Sequence, residues 1–143
     1  GAIGGEAMFV VGGSVLKNVT ATEAHVELTH ENYQHRFLGD VTITGNPFGS
    51  GLILGGGANY LVDPSVVLQG HLRPVQFGIN SAGLLPGSRL PSTGNQLNEI
   101  LASTDAAPHD EKVVWADAGV PYVENTIGGF HGQITILPGV TIY

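Results

Sequence analysis

No cysteine occurs anywhere in the chain. That excludes a disulfide framework, a thiolate nucleophile and any Cys-based zinc site, while leaving the redox compartment open. Basic side chains are nearly as scarce. Lys17, Arg36, Arg73, Arg89 and Lys112 are the whole Lys/Arg set, against 12 acidic residues and a net charge of −7. With no basic stripe to neutralise phosphates, nucleic acid is not expected as a partner, and an anionic membrane surface is disfavoured for the same reason. Charged residues of both signs make up only 12% of the chain, about half the usual share of roughly 25%. No apolar run reaches the length of about 20 residues that a membrane-spanning helix needs. The opening GAIGGEAMFVVGGSVL lacks the basic start of a signal peptide, and glycines break its apolar part.

Hydrophobic residues make up 42% of the chain and glycine contributes 22 positions. A charge-poor, apolar-rich chain of this kind suits a subunit whose exterior is covered by companions, because charge is depleted at the buried centre of interfaces. Its 143 residues fit one domain. The stretch 23–44, EAHVELTHENYQHRFLGDVTIT, organises the reading. Ala24, Val26 and Leu28 alternate with His25, Glu27 and Thr29, and Val41 and Ile43 alternate with Thr42 and Thr44. This period of two predicts half-buried strands, read as antiparallel.

Further strands are expected at 8–11, 14–20, 36–44, 58–62, 65–69, 71–77, 111–116, 120–123, 133–137 and 140–143. The first two would form a hairpin across Gly12-Gly13, the polar stretch 30–34 would be a loop tip, and Gly39-Asp40 would be a bulge or turn. Pro74 should mark an edge or the end of its strand. Thr93 followed by Gln96 reads as a capping box, and Leu97, Ile100 and Leu101 form one apolar stripe, which predicts a short α-helix over Thr93–Ser103. No internal repeat recurs at a fixed period. The expected fold is mainly β, an antiparallel sandwich or small barrel of short strands with that one helix. Residues 1–143 would be a single β domain, with 1–5 as a flexible N-terminal arm and 78–91 as an extended irregular segment.

His25, His30 and His35 are the candidate metal ligands, with Glu27 or Glu31 to add a carboxylate, since imidazole suits zinc, copper, nickel or iron. Neither strand nor helix spacing gathers all three on one face. His30-Glu31 with His35 is one residue too long for H-E-x-x-H, and His25-Val26-Glu27 copies the H-x-E of deaminases without their cysteines. No nucleophile elbow, Walker loop or dinucleotide fingerprint is present. Asp117-Ala118-Gly119 reads as a turn after a strand. Trp115, Tyr33, Tyr60 and Phe48 are the aromatics available to a sugar platform.

No catalytic, cofactor-binding or metal residue is therefore assigned. The expected function is that of a structural or assembly protein, a virion subunit that decorates or cements a capsid. It would act in a virion or extracellular particle, self-associating as a homotrimer or larger and contacting a neighbouring structural protein. The alternatives are a secreted carbohydrate- or protein-binding β module, and a small metal-dependent enzyme built on His25, His30 and His35.

Overall fold

The structure, a computed structural model, describes residues 2–4, 8–10, 15–23, 25–28, 35–78, 82–103, 112–125 and 132–143. Its strands are β1 (Ala2–Gly4), β2 (Met8–Val10), β3 (Val15–Thr22), β4 (Val26–Leu28), β5 (His35–Thr44), β6 (Ser50–Leu54) and β7 (Asn59–Val62). They continue as β8 (Val67–Gln69), β9 (Arg73–Phe77), β10 (Gly83–Leu84), β11 (Ile100–Ser103), β12 (Lys112–Trp115), β13 (Tyr122–Asn125) and β14 (Gln133–Ile136). One sheet, A, runs β1-β3-β5-β7-β10-β12-β14 with β8 also on β5; the other, B, runs β13-β11-β9-β6-β4-β2. Every pairing between these strands is parallel. The chain visits A and B by turns, so it winds as a β-solenoid in which each coil lies on the one before.

This corrects the expected antiparallel sandwich or barrel. The alternation was real: Val26, Leu28, Val41 and Ile43 are buried, while His25, Glu27, Thr42 and Thr44 are half-exposed. Period two reports one dry and one wet face and carries no strand direction. In a solenoid the rest of the coil supplies the crossover between parallel neighbours, so no covering helix is needed. The hairpin expected across Gly12-Gly13 is corrected too, because β2 lies in sheet B against β4 and β3 in sheet A against β5.

The helix expected over Thr93–Ser103 is absent. Residues 92–97 and 99 are bends, and Ile100–Ser103 are β11. The amides that a helix would have used are taken from the previous coil: Gln96 N–H donates to the His71 carbonyl at 3.0 Å and Leu97 N–H to that of Leu72 at 2.7 Å. Nor does Pro74 mark an edge, since β9 is interior to sheet B, between β6 and β11. It is tolerated because the ladder to β11 begins only at Val75, opposite Ile100.

Within the expected arm 1–5, Ala2–Gly4 pair with β3. Within 78–91, Gly83 and Leu84 form β10, and 79–81 lie outside the described residues. The loop tip at 30–34 and the Gly12-Gly13 turn also lie outside them.

Two columns shape the coil. Asn18 (φ 55°) and Asp40 (φ 52°) stack as left-handed bends inside β3 and β5, so Leu38 and Val41 both face inward despite their odd spacing. In the next coil the same bend widens into the Asp63–Val66 turn between β7 and β8, and the Asp40 N–H donates to Ser65 Oγ at 2.8 Å. The second column is a corner, where Glu23, Gly45, Gly70 and Gly94 all have positive φ. Amide bonds join it coil to coil: Glu23 to the Thr44 carbonyl, Gly45 to Gln69 and Gly70 to Gly94.

Between the sheets lies one apolar core whose polar tips are all used. Tyr60 Oη donates to the Gly55 carbonyl at 2.8 Å, Trp115 Nε1 to Ala82 at 3.2 Å and Tyr122 Oη to Ala116 at 2.8 Å. Where β10 is too short to separate β7 from β12, the Asn59 amide bridges them, donating to the Lys112 carbonyl and accepting from Val114 N–H.

Candidate interaction surface

The structure does not gather the expected metal ligands. His25 precedes β4 in sheet B, with Nε2 3.8 Å from Glu27 Oε2, whereas His35 opens β5 in sheet A. His30 and Glu31 lie outside the described residues. Among the described residues no three His, Asp or Glu side chains converge as a metal site would require. The histidine that the sequence did not single out is the buried one. His71 is fully enclosed, Nε2 donates to the Ile43 carbonyl at 2.8 Å, and Nδ1 accepts from Asn46 N–H at 3.3 Å. Those partners hold a neutral ring, and burial pushes its pKa below the ordinary histidine value. Its work is to clamp a corner.

The other candidates are structural as well. Asp117 Oδ1 accepts from Gly119 N–H at 2.9 Å, which closes the turn after β12. Ser50, from the Gly49-Ser50-Gly51 run, donates through Oγ to Gln76 Oε1 at 3.2 Å. Of the platform aromatics, Tyr60 and Trp115 are core, the latter stacked on Tyr122 at 5.0 Å. Phe48 is exposed on a separate turn, and Tyr33 lies outside the described residues. A shallow cleft of about 320 Å³ lies among Asp117, Pro121, Thr141 and Tyr143.

What remains is the end of the solenoid at β14. Core side chains stack in rows along the coil axis. In sheet A one row reads Tyr60, Leu84, Trp115, Ile136, and its exposures are 0%, 0%, 3% and 52%. In sheet B another reads Val26, Leu52, Val75, Ile100, Tyr122, Ile142, fully buried in the first five and 38% exposed in the last. The rows run off the end into solvent. Sheet A stops at β14, which pairs with β12 on one side alone among the described residues. Such an edge presents unpaired N–H and C=O groups, and natural sheets blunt it with charge or proline. Here β14 itself is Gln-Ile-Thr-Ile, and 132–143 holds no Asp, Glu, Lys, Arg or His.

No family profile, curated protein or solved structure matches this chain.

Fully burying one isoleucine is worth about 1.5–3 kcal/mol, so covering Ile136 and Ile142 offers about 1 kcal/mol each, before the ladder bonds are counted. A second apolar feature runs lengthwise on the outside of sheet A. Val15, Phe37 and Leu61 are register partners, and Leu85 and Leu137 extend their line through amide bonds to Tyr60 and Trp115. Val15 is exposed and the other four are half-buried. Lys17 Nζ lies 5.3 Å from the centre of the Phe37 ring, covering part of that line. The missed signal for this edge was already in the sequence: the β-rich stretch 132–143 has no charged side chain.

Proposed function

We propose that this chain is a structural protein that works by joining an assembly, with the rung at β14 as its principal contact and the Val15–Phe37–Leu61 line as a lateral one. The observation that supports this best is the core running out into solvent at Ile136 and Ile142. Among the described residues β14 is an edge strand, and its Gln-Ile-Thr-Ile sequence has neither the charge nor the proline that blunts such an edge. Low overall charge agrees with the same reading. The setting proposed is a virion or extracellular particle, with the chain decorating or cementing a shell through contacts with its own copies and with a neighbouring structural protein. The chain's function is then mechanical, since association stabilises each folded subunit by mass action.

Sedimentation equilibrium over a concentration series tests this. The expected result is a mass that climbs to a multiple of the 14.8 kDa chain. A species that stays at 14.8 kDa at the highest concentration, and that no larger particle takes up, overturns the proposal.

A further inference from the structure

We propose that the open rung is covered by a second copy of this chain, through antiparallel pairing of β14 with itself about a twofold axis at Thr135. The proposal rests on the assembly reading and specifies the contact within it. Two observations carry it. First, no side chain from 132 to 143 is charged, so two copies of a chain of net charge −7 meet there without charged side chains opposed at the joint. Second, the strand is self-complementary. Ile134 and Ile136 pair with the buried Val113 and Trp115, which marks them as the inward pair, while Gln133 and Thr135 point outward. Directly opposed residues in an antiparallel pair share a face. A twofold at Thr135 therefore sets Ile134 opposite Ile136 of the second copy, and Ile136 opposite Ile134, closing the core row. Centring on Ile134 would instead leave Ile136 opposite a glycine.

The twofold suits both sheets. Trp115 of sheet A faces Phe77 and Tyr122 of sheet B across the core, with ring centres 6.0 and 5.0 Å away. An axis normal to sheet A through Thr135 therefore brings the sheet B edges at Ile142 together as well.

The absence of native cysteine makes the test clean. Across such an axis the two Thr135 Cα atoms would lie about 4.5–5.5 Å apart, within disulfide range. Gln133 would lie opposite Leu137 of the second copy, so the two Gln133 Cα atoms would be four residues out of register. The full chain carrying Thr135→Cys is expected to form a disulfide dimer under mild oxidation, and Gln133→Cys is not. Ile136→Lys, a change at a half-exposed site, is expected to weaken dimerisation at least tenfold with an unchanged far-UV spectrum. If the parent chain self-associates but Thr135→Cys stays unlinked, the twofold joint is wrong and the assembly reading survives. That result would point to the lateral line, to head-to-tail stacking or to a strand of other origin. Equal linking at 133 and 135 marks random collision and also overturns the joint. If the parent chain is monomeric at every concentration and neither variant links, both the joint and the reading behind it fall.

Discussion

His71 shows how one side chain can couple acidity to the coil. Its ring spans from β5 to the turn before β6, and both its nitrogens are spoken for by backbone groups. The Gly51, Pro74 and Asn46 positions around it bring no charge. Burial holds its folded pKa below the unfolded value of about 6.5. The unfolded chain therefore takes up the proton more readily than the folded one. The contribution to stability is whole above about pH 6.5 and is lost as pH falls through that value towards the lower, folded pKa. Protonation would also place a proton on Nδ1, where Asn46 already donates. We expect His71→Gln to cost about 1–3 kcal/mol at pH 7.5, since one or both backbone partners lose their mate, and to flatten the pH dependence between pH 7 and 5. Urea midpoints of both chains at pH 7.5, 6.5 and 5.5 check this. Parallel losses in the two would show that acid acts elsewhere. His71 was hard to single out from the sequence, because Gly70-His71-Leu72 has no local pattern; its partners are 25 and 28 residues away.

Elements were legible to the extent that their signals were local. The inward and outward positions of 25–28 and 41–44 and the bend at Gly39-Asp40 were readable, because side-chain alternation and turn chemistry are properties of a few neighbouring residues. Strand direction was not, since it depends on what lies beside the strand. Nor was the solenoid, because its coils differ in length: the step is 22 residues from Thr20 to Thr42, 25 from Thr42 to Val67 and 31 from Leu84 to Trp115. No fixed period could emerge from steps of that spread. The false helix at 93–103 came from a motif whose amides found better partners in the coil below.

The corner column yields a prediction at this level. Gly45, Gly70 and Gly94 hold positive φ without strain, but Glu23 stands in the same conformation at φ 54° with a side chain. A non-glycine residue there costs about 1–2 kcal/mol, and glycine returns about 0.5–1 kcal/mol of that as unfolded-chain entropy. Glu23→Gly is therefore expected to stabilise by about 0.5 kcal/mol. Gly45→Ala is expected to destabilise by about 1–2 kcal/mol, since the added carbon would also lie 3.3 Å from the Glu23 nitrogen. Thermal melts of the two variants should move in opposite directions from the parent. A fall for both would mean that the Glu23 carboxylate does more for the corner than its backbone strain costs.

At the scale of the whole molecule, each coil touches only the coils above and below it, so stability passes from neighbour to neighbour. The interior strands β5, β6, β7 and β9 are flanked on both sides, whereas β14 has one neighbour among the described residues. Hydrogen exchange should be slowest in the former and faster in β14, because an edge opens at lower free energy than a centre. If the β14 rung is where copies meet, its amides alone should gain protection as concentration rises, while the interior strands keep their rates. Salt should help that gain. The joint has no charged side chain, and screening weakens the general repulsion between two chains of net charge −7. Exchange measured at low and high concentration, each with and without added salt, therefore separates two kinds of contact. Protection confined to 133–143 and rising with salt is what an apolar end-to-end joint produces. Protection spread over 15, 37, 61 and 85 would place the main contact along the side of the coil, and protection lost in salt would mean that ion pairs, not the exposed ends of the core rows, hold the copies together.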